Sequence, residues 1–274
     1  MNKSRCEVMS KISRLLLATT ISLISSASYA ASVTLYDQDF ESPNNPPGYV
    51  NGSGSGYDDL SQQSVNDLYG GQPAGFSFAQ AFTVETALLT GIQAFGTGYK
   101  DLSGIGGNYA IGMLSSAQND LLGLSFNVGF FDFFNFTVDV SSLGLSGGPG
   151  APFTDGQTPP EFHFTLFDNP LGTNTTGSGT ILDQASLVGT SSAIDTLDWT
   201  NGLFTFDTSG ATNGSVILQI DLLTGGYGVM DNFKITASDI PGGGLNPVPV
   251  PAAFWLFGTA LIGFVGISRK RKVG

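Results

Sequence analysis

The stretch YGVMDNFKIT keeps Tyr227, Val229, Phe233 and Ile235 in one apolar phase and puts Asp231 in that same phase. A carboxylate aimed at a core is costly unless hydrogen bonds, a cationic side chain or a metal ion compensates it. Basic side chains are almost absent from this part of the chain. Two alternatives stay open: amide N–H donors at a strand bend, or a bound cation. Earlier in the chain, YDQDFES supplies Asp37, Asp39 and Glu41. EFHFTLF carries His163, the only histidine, in phase with Glu161 and Thr165 on a polar face. A Glu–His pair can exchange protons, yet a histidine on an exposed strand face is ordinarily a solvated surface residue. One histidine also leaves zinc catalysis short of its usual ligands. The glutamates after residue 30 are Glu41, Glu85 and Glu161, and no local motif sets two carboxylates across a cleft as glycoside hydrolysis requires. No catalytic residue is assigned, and the expectation is a protein that is not an enzyme. Aromatic residues in or beside polar loops, Tyr69 among them and Tyr57 and Trp199 above all, have the chemistry to stack on sugar rings. The plainer role for such a residue is to close the end of a core.

These residues sit in a body of unusual charge. The chain has 274 residues, and of its ten basic residues four lie in the first fourteen positions and four in the last six. Between Ala31 and Leu245 only Lys100 and Lys234 remain, against twenty-one carboxylates, a charge of −19. Such a body repels phosphate backbones, which need Lys and Arg for neutralisation, so nucleic acid is excluded as a partner. Divalent cations and neutral polymers remain. The single cysteine, Cys6, falls in the N-terminal segment, so the rest of the chain has neither disulfide nor thiolate chemistry.

The elements that must position the candidate residues are short strands. LLGLSFNVGF puts Leu122, Leu124, Phe126, Val128 and Phe130 on one face, and FNFTVDV does the same with Phe134, Phe136, Val138 and Val140. Asp132 sits between these runs, where a turn is needed. EFHFTLF, GLFTFD and SVILQIDLL continue the rule with Phe162, Phe164, Leu166, Phe204, Phe206, Val216, Leu218, Ile220 and Leu222. Alternation with polar residues marks antiparallel sheets with one wet face, and several such runs between Gly-rich loops predict an all-β fold, a single antiparallel β-sandwich of the jelly-roll kind. The domain spans 31–240. Long loops cover 42–73 and 144–160, and PGGGLNP over 241–247 is a Gly/Pro tether.

Both termini read as addresses. Basic residues, the apolar run LLLATTISLI (15–24) and small residues ending at Ala30 make 1–30 a secretory signal peptide. At the other end, VPVP (248–251) holds an extended backbone, and Ala252–Ile267 is an uninterrupted run of apolar and small residues. As a helix it reaches roughly 24 Å, a short transmembrane span. Arg269, Lys270, Arg271 and Lys272 form a stop that stays cytoplasmic and leaves the acidic body outside.

Two resemblances sharpen this. Val248-Pro249-Val250-Pro251-Ala252, followed by the apolar run and the basic cluster, resembles the PEP-CTERM sorting signal in its VPxPA form over 248–274. That likeness implies exosortase as a partner, a passing or permanent membrane stage, and delivery from the inner membrane of a Gram-negative bacterium to the cell surface, exopolysaccharide or biofilm matrix. Phe40-Glu41 near the start and Asp231-Asn232-Phe233 in the last strand resemble galactose-binding-like jelly rolls, which include many carbohydrate-binding modules. By that resemblance Glu41 and Asp231 share a structural Ca²⁺ with backbone carbonyls, and polysaccharide is a partner; a secreted glycan-active hydrolase on the same scaffold and a purely structural matrix protein stay open as alternatives. The exported form is therefore expected to have lost Trp255, which its intact mass will show; a secreted protein that still carries Trp255 means a permanent anchor.

Overall fold

Runs with a period of two become strands because the pleat sends alternate side chains to opposite faces. The computed structural model describes residues 31–42, 57–59, 69, 77–80, 84–89, 100–115, 121–144, 158–174, 176–177 and 179–245. Among the described residues there are strands and no helix. They are β1 (Ser32–Gln38), β2 (Tyr57–Asp59), β3 (Ser77–Gln80), β4 (Val84–Leu88), β5 (Lys100–Asp101), β6 (Tyr109–Leu114) and β7 (Leu121–Asn127). The second half holds β8 (Phe133–Ser142), β9 (Glu161–Asp168), β10 (Ile181–Val188), β11 (Thr196–Leu197), β12 (Thr200–Asp207), β13 (Ser215–Thr224) and β14 (Tyr227–Ser238). The signal segment 1–30 and the sorting segment 248–274, with Val248, Pro249, Val250, Pro251, Ala252 and Arg269, Lys270, Arg271, Lys272, lie outside the described residues.

One sheet runs β12-β8-β14-β6-β4-β2, and β1 pairs with β14. The second runs β10-β9-β13-β7-β3. Every pairing in these two sheets is antiparallel, as the alternation predicts. The short β5–β11 ladder is parallel. Between the sheets lies an aromatic core. Phe136 of the first sheet meets Phe164 of the second edge-on at 5.4 Å, and Phe126 meets Phe134 at 5.6 Å. Burying one such ring stabilises the fold by about 1.5–3 kcal/mol, and each favourable ring pair adds roughly 0.5–1.5 kcal/mol.

Most inward positions expected from alternation are buried: Leu122, Leu124, Phe126 and Val128 on or just after β7, all four on β8, and those on β9 and β13. Three departures from simple alternation matter for function. Phe130, expected inside, is wholly exposed. β7 ends at Asn127, and Gly129 at φ +62° turns the chain before the phase reaches Phe130.

The second departure is in β14. Tyr227 and Val229 pack into a small cluster with Leu89, Ala110, Leu143 and Leu197, whereas Phe233, Ile235 and Ala237 join the main core. A bulge between Asp231 and Lys234, with Asn232 at φ +52°, inserts the residue that flips the face. Asp231 shares the phase of Val229 and therefore lies on the side of the smaller cluster, not in the main core as the uninterrupted phase implied.

The third departure is a covered face. Asn135 alternates with Phe134 and Phe136, which by the period of two puts it on the wet face, yet it is buried because the turn after β14 folds over it. Its Nδ2 donates to Ser238 Oγ and to the Gly243 carbonyl, and its Oδ1 accepts from Gly242 N–H at 2.7 Å. Residues 241–245, expected as tether, are thus fastened to the sheet.

Candidate binding site

Two carboxylates organise the loop between β5 and β6. Asp101 accepts from Ser103 N–H, Gly104 N–H and Gly106 N–H at 2.8–3.0 Å, and from the Ser103 hydroxyl. Its Oδ2 also accepts from Trp199 Nε1 at 3.1 Å. Burial pushes the Asp101 carboxyl up, but the hydrogen bonds from Ser103, Gly106, Trp199 and Gly104 together outweigh it and hold it below the usual carboxylate range. Glu41 fastens the far end of the loop. It accepts from Asn108 N–H at 2.7 Å, Tyr109 N–H at 3.0 Å and Asn108 Nδ2 at 2.8 Å. Gly107, at φ +50°, has no room for a side chain: a Cβ there would stand 2.3 Å from the Glu41 carboxylate.

The loop forms one wall of a cleft. Lys100 N–H donates to the Asp195 carbonyl at 2.8 Å, and the β5–β11 ladder joins Thr196 to Lys100 and Leu197 to Asp101. The other wall is tied down where Asp198 N–H donates to Ser141 Oγ at 2.9 Å and Ser192 bonds Ser142. Between them lies a volume of about 320 Å³. Leu197 and Trp199 line it on the apolar side and connect it to the small cluster. Ser103, Ser191, Thr196 and Asp198 bring hydroxyls and a carboxylate, and Leu102 stands exposed at the rim. Trp199 is half-buried, and its ring lies so close to Gly106 that no side chain fits between them. The aromatic wall is therefore rigid, because both its donor and its face are fixed.

Beside the loop is a cluster of carboxylates. Asp231 is 1 % exposed, and among the described residues its one hydrogen-bond donor is Asn232 N–H, at 2.6 Å. Burial raises its carboxyl to about 8, working against that hydrogen bond, and the neighbouring charges of Glu41, Asp39 and Asp139 push it up further. Asn232 Nδ2 bridges Asp139 Oδ2 and the Ile105 carbonyl, tying the bulge to the loop. The structure thus brings Glu41 and Asp231 near enough to repel each other. It also shows Glu41 engaged by three N–H groups. Among the described residues no group of three or more His, Cys, Asp or Glu side chains is arranged to hold a metal ion.

The other candidates are dispersed. His163 contacts Ser186 Oγ through Nδ1 at 3.0 Å and faces Gln184 Nε2 at 3.3 Å on the outer side of the second sheet. Asp221 is its cross-strand neighbour; burial raises the Asp221 carboxyl, opposed by a hydrogen bond from Gln219 and the charge of His163. The Asp221 carboxylate bonds Gln219, so no nucleophile–base–orienter chain forms there. Tyr69 is buried against Phe40 at 5.2 Å and closes the core. Tyr57 lies in β2, opposite Ala87, and its side chain is outside the described residues. Sequence reasoning missed Asp101. The signal was present in DLSG, an Asp two residues before a Ser and three before a Gly, which is turn chemistry.

No family model matches the sequence. No curated protein matches it either. Structural neighbours include carbohydrate-binding modules and adhesin domains. The chain is similar to the K3 cleaved adhesin domain of Lys-gingipain from Porphyromonas gingivalis W83, at 12% identity over 75% of this chain and 99% of that one, with a TM-score of 0.38. It is similar to the CBM22-1 xylan-binding domain of Paenibacillus barcinonensis Xyn10C, at 12% identity, 78% and 99% coverage and a TM-score of 0.37. A third likeness is to the family 11 carbohydrate-binding module of Clostridium thermocellum in complex with a β-1,3-1,4-mixed-linked tetrasaccharide, at 13% identity, 60% and 89% coverage and a TM-score of 0.32. Likenesses at these scores carry no weight for ligand or mechanism.

The carboxylate cluster has a consequence for stability. Folded Asp231 keeps its proton up to about pH 8, whereas the unfolded chain releases it near pH 4. Its contribution is complete below pH 4 and is lost as pH rises toward 8. In metal-free buffer the melting temperature is expected to fall across that window, and Asp231→Asn is expected to flatten the fall. An unchanged pH profile in Asp231→Asn would mean that the carboxyl ionises normally.

Proposed function

We propose that this chain is an exported, non-catalytic β-sandwich that binds a neutral glycan in the Trp199 cleft. The observation that carries the reading is the cleft itself: a rigid indole wall facing hydroxyls and one carboxylate. Sugar rings offer apolar C–H faces to an aromatic ring and hydroxyls to Ser, Thr and Asp. A volume of about 320 Å³ is at the small end of ligand pockets and suits one or two sugar units. A body of −19 with Asp198 in the cleft disfavours anionic polymers and favours neutral ones. Tyr57 belongs to the same proposal as a second sugar contact. The route belongs to it as well: export by the N-terminal signal, a membrane stage through 252–267, recognition of Val248–Ala252 by exosortase, and release to the cell surface or biofilm matrix. Neutral oligosaccharides titrated into the exported protein and followed by isothermal titration calorimetry test the cleft. Trp199→Ala is expected to weaken binding roughly tenfold or more, the equivalent of one lost stacking contact. Equal affinity in Trp199→Ala would move the site elsewhere.

Calcium is the second part of the proposal. Asp231, which has one hydrogen-bond donor among the described residues, and the lone pairs that Glu41 leaves free would hold the ion, with carbonyl oxygens completing its shell. Bound there, Ca²⁺ would neutralise a cluster that has no lysine to do so and would keep Asp231 ionised. Chelation is expected to lower the melting temperature at pH 7 and added Ca²⁺ to restore it. The same treatment should leave Asp231→Asn unmoved. A wild-type melting temperature indifferent to chelator and to Ca²⁺ removes the metal from the account and leaves the proton in its place.

A further inference from the structure

We infer that the end of the sandwich that carries Phe130 is a membrane-docking surface, seated on the lipid interface that the apolar run 252–267 enters. The inference rests on the reading of that run as a membrane segment. The turns at this end interlock. Val128 N–H donates to the Gly214 carbonyl at 2.7 Å, Thr208 N–H to the Asp132 carbonyl at 2.9 Å, and Asn213 Nδ2 to the Pro170 carbonyl at 2.6 Å. From this braced platform Phe130 projects wholly exposed, and Leu171 is 78% exposed. Gly129 N–H bonds Asn127 Oδ1 and Phe131 N–H bonds the Val128 carbonyl, so the tip is held outward. Ile240 and Val33 add two more exposed apolar side chains near the same end.

Scattered exposed apolar residues are common and by themselves mean little. What selects lipid here is where the chain enters and leaves. Ser32 pairs with Ser238, and Ser238 pairs with Phe133, which follows the Phe130 turn. The turn after β14 folds back so that Gly244 lies beside Thr236 and Ser32. Both the start of β1 and the exit at Leu245 are therefore at the Phe130 end. Six residues, 246–251, separate Leu245 from Ala252. Six residues of chain span at most roughly 20 Å whatever their conformation. A surface tethered that closely meets the interface at an effective concentration of millimolar order, where a weak apolar contact is populated. The cleft lies at the other end: Ser141 and Ser142 close the ten-residue strand β8 beside it, and Phe133 opens that strand. Docking through Phe130 turns the cleft away from the membrane.

The charge at the docking end predicts the character of the contact. Asp132, Asp207 and Asp239 are exposed there, so anionic headgroups are repelled and only the apolar tips attract. Binding should strengthen with salt and weaken with anionic lipid, opposite to a basic membrane patch.

The test uses the full chain with Cys6→Ser, so that a single introduced cysteine carries a polarity-sensitive dye. Ser209→Cys, exposed on the turn that Thr208 bonds to Asp132 beside Phe130, is compared with Ser191→Cys at the cleft, in phosphatidylcholine vesicles containing a nitroxide-labelled lipid. The expected result is flotation of both proteins with the vesicles, and quenching at position 209 exceeding that at 191 roughly twofold or more. Phe130→Asp or Leu171→Asp should reduce the quenching at 209, and added phosphatidylglycerol should reduce it in low salt. Flotation with equal, water-like signals at both positions overturns the docking surface while leaving the membrane segment intact. Failure to float overturns the membrane segment, and the docking surface with it.

Discussion

The rest of the structure depends on one shortage: a body with twenty-one carboxylates has two lysines to offer them. Among the described residues one ion pair forms, Lys234–Asp37 at 3.4 Å, and it is exposed enough to contribute little. Carboxylates are met by N–H groups instead. Asp101 gathers one end of the β5–β6 loop and Glu41 the other. Asp168 takes Thr212 N–H, Asp207 takes Ser209 N–H, and Asp183 takes Asp207 N–H on the edge of β12. A charged acceptor makes each bond stronger than a neutral one. Loops that would otherwise have little to hold them are fastened by acids. Of the buried carboxylates among the described residues, Asp168 is met in this way and Asp231 is not: it has one donor and three like charges nearby, and that is why it asks for a proton or a cation.

The bulge at Asp231–Asn232 lets one strand serve two clusters. Before it, β14 packs Tyr227 and Val229 under the cleft; after it, Phe233, Ile235 and Ala237 enter the aromatic core. Asn232, in the left-handed conformation the bulge requires, spans from β8 to the loop through Asp139 and Ile105. The acid cluster, the loop and the Trp199 wall are consequently one hydrogen-bonded assembly. The domain is also polar along its strands, with chain entry, chain exit and Phe130 at one end and the cleft at the other.

How much of this could be read in advance follows from the range of the interactions. The inward residues of β8, β9 and β13 were legible because alternation is a property of each strand alone. The same alternation carries Phe130 inward, but β7 ends at Asn127 and Gly129 turns the chain before the period reaches it. Alternation puts Asn135 on a wet face, but a distant turn covers it; it puts Asp231 in the phase of Phe233, but the bulge between Asp231 and Lys234 reverses that phase. Trp199 was picked out as an aromatic beside polar residues, but its partner Asp101, ninety-eight positions away, could not be paired with it from spacing.

By itself, then, the amino-acid order determined the all-β class, the antiparallel pairing, the main aromatic core and the segregation of charge. Each of these follows from local pattern or composition. Tertiary structure decided which carboxylates are satisfied and which is stranded, which face β14 presents, and that Trp199 forms a wall. Those outcomes depend on contacts between residues far apart in the chain, where a single extra residue in a strand changes which side of a sheet a carboxylate meets.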